Sequence, residues 1–184
     1  AVQRARAAIE KAVELDPTLA EAQMALGLHQ LYADWDIEAA RASLKRAMEL
    51  NPSLADAWYH WAWWLEMMGD DDEAIAAGEK TMELSPLSSF YVAWLADQYR
   101  DAGKYDRAIE LAESVLALTP NYPIAWYALG NVYAEQGRFE EAIDVLRRAV
   151  VADPQDLPNH NLLGFCYYKT KQHEQAVRCF QHAV

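Results

Sequence analysis

The chain has 184 residues, 53% of them apolar and 11% aromatic, including 7 Trp and 10 Tyr, a composition that excludes an intrinsically disordered polymer. Its 16 basic and 28 acidic residues leave a net charge of −12, a field that repels nucleic-acid phosphates and anionic membranes and attracts basic partners. Two cysteines are too few for a disulfide framework, no signal-peptide pattern opens the chain, and no apolar run approaches the roughly 18 residues of a membrane-spanning helix, so a cytoplasmic location is expected.

Residues 1–17 read as one helix, with Ala5, Ile9 and Ala12 on its apolar face and Pro17 closing it. From there the chain proceeds in pairs of helices. Residues 18–52 form the first pair, with small residues Gly27 and Ala40 where the two helices approach. One residue is inserted in its turn, Tyr32-Ala33-Asp34-Trp35-Asp36, and Trp35 stands where later turns carry glycine, so this turn must have a shape of its own. Residues 53–86 carry Trp58, Trp61, Trp63 and Trp64 on the first helix. Gly78 stands on the second helix where a large residue is expected, and the indole of Trp61 supplies a compensating volume. The run Asp70-Asp71-Asp72-Glu73 lacks the spacing of a calcium loop and sits at a helix start, where carboxylates meet the positive end of the macrodipole.

Residues 87–120 start on the capping pair Ser88-Ser89 and keep Leu95, Tyr99, Gly103, Tyr105 and Ala108. Residues 121–154 place Pro123 at the first helical position, where a missing N–H costs nothing. Residues 155–184 keep Leu163, Gly164, Tyr167, Ala176, Phe180 and Ala183. They substitute His160 for the tryptophan and Lys171 for the glycine of the preceding pair, as in a degraded, truncated last repeat.

Sliding the stretch Ala125–Pro154 by 34 residues superposes Gly137 on Gly103 and Gly69, and Pro154 on Pro120, Pro86 and Pro52. With Trp126, Leu129, Gly130, Tyr133, Phe139, Ala142, Leu146 and Ala149 in place, the chain resembles the tetratricopeptide-repeat family over nearly its whole length. The resemblance implies an all-α fold, a right-handed α-solenoid of antiparallel helix pairs, with residues 1–184 as one domain and both ends cut from a longer protein. Residues 1–17 would then be an orphan second helix. The segment Tyr32–Asp36 is also similar to the repeats attached to bacterial winged-helix regulators, adenylate cyclases and Ser/Thr kinases.

In that family one face of each first helix lines a concave groove that holds a partner peptide. Helical spacing places on that face Met24, Leu28 and Leu31; Tyr59, His60, Trp63 and Glu66; Trp94, Asp97, Arg100 and Asp101; Tyr127, Asn131 and Glu135; and Asn161, Phe165, Tyr168 and Lys169. Such an aromatic lining is a ligand surface, or is covered by a neighbouring chain or by a further segment of the same protein. Trp63, Trp94 and Tyr127 are the expected anchors, Asn131 and Asn161 the expected partners of a peptide backbone, and Glu66, Asp97, Asp101 and Glu135 the groups that favour a basic ligand. His60 is the histidine of this face, and its charge would change near pH 6.5. The lysine–asparagine clamp by which some members hold C-terminal carboxylates is missing, since Tyr127 precedes Asn131 and Met24 precedes Leu28.

The function expected is a protein-interaction scaffold that binds a peptide. The alternatives are a sensor module of a bacterial signalling protein, or self-assembly by end-to-end stacking into homo-oligomers. No catalytic motif, phosphate loop or dinucleotide fingerprint occurs, so neither an enzyme nor a cofactor is expected. Cys166, His173, Cys179 and His182 crowd the last repeat, but packing accounts for Cys166 and His173, and no metal is expected.

Overall fold

A computed structural model describes residues 2–182, with side chains from Gln3 onward; Ala183, expected at the last small core position, lies outside the described residues. The described residues are helical apart from short connections, and the chain divides into two compact units, Ala1–Leu87 and Ser88–Val184. The first unit holds α1 (Val2–Leu15), α2 (Ala20–His29) running into a π-helical turn (Gln30–Asp34), α3 (Ile37–Leu50), α4 (Ala55–Met68) and α5 (Asp71–Leu84). The second holds α6 (Ser89–Asp101), α7 (Tyr105–Leu118), α8 (Pro123–Glu135), α9 (Phe139–Ala152), α10 (Leu157–Lys169) and α11 (His173–His182). Each even-numbered helix folds back on the odd-numbered helix that follows it, and α3 packs on α4, α7 on α8 and α9 on α10.

Small residues let each pair close. A Cβ built on Gly130 would stand 2.6 Å from the side chain of Leu146, and one on Gly164 would stand 2.8 Å from Phe180. Leu44 and Leu146 are fully buried in these seams, each contributing on the order of 2 kcal/mol by burial. Trp61 and Gly78 are both buried; Trp61 lies 4.9 Å from Trp64 in a parallel stack. Lys45 and Arg41 of α3 cover the two rings.

The turns follow the repeat. Gly69, Gly103 and Gly137 adopt φ of 80°, 69° and 74°, and the amide of the next residue returns five residues: Asp70 to Leu65, Lys104 to Tyr99 and Arg138 to Tyr133. Lys171 takes the same conformation at φ 63°, with Gln172 bonded to Tyr167, so the last repeat keeps the turn without its glycine. In the first pair Trp35 is left-handed at φ 56°, and the amide of Asp36 reaches back six residues to Gln30 at 2.9 Å. The inserted residue is thus absorbed as a π-turn.

A second recurring device fastens consecutive repeats. Near the start of the first helix of a pair a side chain donates to the carbonyl of the proline six residues earlier, except in α6, where Val92 holds that position: Gln23 to Pro17 at 3.2 Å, Trp58 to Pro52 at 2.9 Å and Trp126 to Pro120 at 3.0 Å. His160 lies 3.0 Å from the Pro154 carbonyl through Nε2, so the histidine that replaces tryptophan preserves the bond and the repeat is less degraded than its sequence suggests. Ser88 caps α6 by accepting from the amide of Tyr91.

At three places the burial differs from expectation. Ala5 of α1 is exposed, while Ile9 and Ala12 are half-buried, because α1 packs chiefly on α2. Phe180 stays 40% exposed, leaning on Gly164 at the outer edge of α11. Leu31, expected on the open face, is only 2% exposed: the π-turn rotates it into the seam between α2 and α3.

Candidate functional site

In the first unit the face expected to bind is built by α2, its π-turn and α4. Met24 and Leu28 occupy it one turn apart and are half-buried. The widened turn that buries Leu31 carries Tyr32 onto this face, where its ring lies 5.1 Å from that of Trp63. The sequence places Tyr32 in the turn between the two helices, and the inserted residue is the signal that this turn has a shape of its own. The ring of Tyr59 lies 4.9 Å from His60, and burial, with Tyr32 and Glu66 nearby, raises the Tyr59 phenol above its ordinary range. Burial pushes the His60 imidazole below its usual value, with Asp56 pulling weakly the other way. No described residue bonds the indole N–H of Trp63, whereas Trp58 and Trp64 spend theirs on Pro52 and Ile37.

In the second unit the corresponding face runs over α6, α8 and α10, which lie side by side. Trp94, Tyr127 and Asn131 are half-buried on it, and Asn161, Phe165 and Tyr168 are exposed. Arg100 organises the acidic groups. It bonds Asp97 at 2.8 Å, Asp101 at 2.9 Å and Glu135 of the next first helix, with only 15% of its side chain exposed. Burial works against its charge, but Asp97, Glu135 and Asp101 outweigh that, and its pKa rises. Three of the four carboxylates expected to meet a ligand are therefore engaged with one guanidinium of the chain itself, leaving a surplus of negative charge. Phe165 meets Phe139 edge-on at 6.2 Å with Lys169 over its face, and Tyr168 lies against His173.

Among the described residues no group of three or more His, Cys, Asp or Glu side chains is placed to hold a metal ion. Cys166 is buried and its thiol is pushed up to about 11, while His182 stacks on His160 at 5.1 Å. No described helix is long and apolar enough to cross a membrane.

Family models described as tetratricopeptide repeat match residues 56–88, 95–156 and 157–184. The chain belongs to the tetratricopeptide-repeat family. As a tetratricopeptide-repeat protein it is all-α, a solenoid of repeated helix pairs. It is similar to a chain of the APC/C hetero-tetramer Cut9-Hcn1, with a TM-score of 0.85, 22% identity, and coverage of 99% of this chain and 36% of that one. It therefore spans about a third of that relative's length. PilW, a widely conserved type IV pilus biogenesis factor, gives a TM-score of 0.85 at 18% identity, over 97% of this chain and 82% of that one. MamA from Desulfovibrio magneticus RS-1 gives 0.71 at 23% identity, over 89% and 92%. At such identities the likeness is one of fold. No curated protein matches the chain.

Proposed function

We propose that this tetratricopeptide-repeat chain is a protein-interaction scaffold whose first-helix faces bind a peptide segment of a partner, with preference for basic residues. The observation that carries the reading is the Tyr32–Trp63 pair in the first unit: two large rings held 5.1 Å apart on an open face, one with an indole N–H that no described residue bonds, beside Tyr59 and Glu66. Rings of this kind bury large area at small entropy cost and dominate binding hot spots. A net charge of −12 and the negative surplus around Arg100 support the basic preference.

The test is a selection of random peptides against the protein and against a folded Trp63→Ala, Trp94→Ala, Tyr127→Ala variant. The expected result is a shared basic and apolar motif that binds near micromolar affinity, about −8 kcal/mol, and is lost by the variant. Equal enrichment on both proteins, or none on either, defeats the reading.

A further inference from the structure

One cavity in the second unit lies away from the first-helix face. It measures about 900 Å³ and opens between the α7–α8 connection and the outer side of α9, lined among others by Asn121, Trp126, Asp144, Arg147, Arg148 and Val151. The Arg148 guanidinium lies over the Trp126 ring at 5.3 Å, while the indole N–H is already committed to Pro120. A cation over an aromatic face is attracted by the ring quadrupole, and a guanidinium there carries five N–H donors in a rigid fork that suits carboxylates.

Several basic side chains elsewhere on the described surface close a bridge to a carboxylate three residues away: Arg41 with Glu38, Arg46 with Glu49, Lys80 with Glu83, Arg107 with Glu110 and Arg138 with Glu141. Asp144 stands three and four residues before Arg147 and Arg148, yet neither arginine forms an ion pair with any described carboxylate. Two guanidinium groups without carboxylate partners therefore flank a cavity on a protein whose net charge is −12. Val151, 79% exposed, supplies an apolar contact at its rim. The site is cationic, partly apolar and planar-donor rich.

We infer that this cavity is a second docking site, for an acidic peptide segment that carries one large apolar residue. Its carboxylates would take the forks of Arg147 and Arg148, and its apolar side chain would pack on Trp126 and Val151. The site has the opposite charge preference to the first-helix face and does not depend on that reading.

The test uses the whole chain and a fluorescent twelve-residue peptide of alternating Glu and Asp with a central Leu, its Gln/Asn counterpart, inorganic phosphate and a single-stranded oligonucleotide. The acidic peptide is expected to bind at 50 mM salt at least tenfold more tightly than the amide peptide, and to weaken several-fold at 300 mM salt. Arg147→Gln with Arg148→Gln, both exposed positions, is expected to lose at least tenfold in affinity with its helical circular dichroism unchanged, and Arg148→Lys to lose part of it. Equal binding of the two peptides, or indifference to both variants, overturns the proposal. Tighter binding of phosphate or the oligonucleotide reassigns the site to phosphate ligands and overturns the peptide. A protein mass that rises with concentration and falls in the double variant reassigns it to a second copy of the chain.

Discussion

Tyr32 reaches Trp63, 5.1 Å between ring centroids, because one residue too many was accommodated inside a helix rather than looped out of it. Deleting Ala33 restores the length of the other repeats. An ordinary α-turn then returns Leu31 toward the open face and moves Tyr32 off Trp63. The deletion variant is expected to fold, to lose the Tyr32–Trp63 contact in NOE spectra, and to bind selected peptides at least five-fold more weakly.

Trp35 holds a left-handed conformation in which a side chain is costly, and it is 76% exposed, so its ring gives little back. Trp35→Gly is expected to raise stability by about 1 kcal/mol, reduced somewhat by the greater freedom of glycine in the unfolded chain. Urea unfolding checks this through a higher midpoint at unchanged slope.

The tightest seam predicts the opposite outcome. Gly130→Ala drives a methyl to 2.6 Å from Leu146, whose side chain is fully buried and has little room to withdraw. A loss of about 2 kcal/mol is expected from overpacking. Adding Leu146→Val should recover part of it, a non-additive pair that a double-mutant cycle reads directly.

Much of this architecture was legible in the sequence, and the exceptions share a cause. Period, helix pairing, small seam residues and the left-handed positions follow from local chemistry, and they hold even where Trp35 and Lys171 replace glycine. The fate of the extra residue was not legible, since looping it out and widening the helix leave the same letters. Nor was the engagement of Asp97, Asp101 and Glu135 with Arg100, which requires α6 and α8 to lie side by side. Leu31 and Tyr32 differ from expectation for the first reason, and the acidic lining for the second.

Arg100→Gln would leave those three carboxylates facing one another without their cation. A destabilisation of roughly 2 kcal/mol is expected for lost charged hydrogen bonds on a largely buried guanidinium. Repulsion among the remaining acids is screened by salt, so the gap from the parent should narrow between 20 mM and 500 mM sodium chloride, which urea titrations at both concentrations would show.

His60 sets a pH dependence of known sign. Burial lowers its folded pKa below the ordinary value of about 6.5, so between the two values the unfolded chain binds more protons and stability rises with pH. The contribution is complete above about pH 6.5 and is lost as the pH falls through that range toward the folded pKa. Urea midpoints measured from pH 5 to pH 8 are expected to rise less steeply in His60→Gln than in the parent protein.

The bond from a side chain to the proline six residues back has a consequence for how such a chain can grow. Apolar seams tolerate sliding, but a donor and an acceptor at fixed spacing permit growth only in whole units. Within the second unit, any 34-residue window that starts between Pro120 and Trp126 carries one donor and one proline carbonyl, so duplicating it leaves every such bond paired. Insertion of half a window strands an indole or imidazole beside an unmatched carbonyl. The array is thereby editable in cassettes, and its ring donors work as the punctuation that keeps the cassettes in frame.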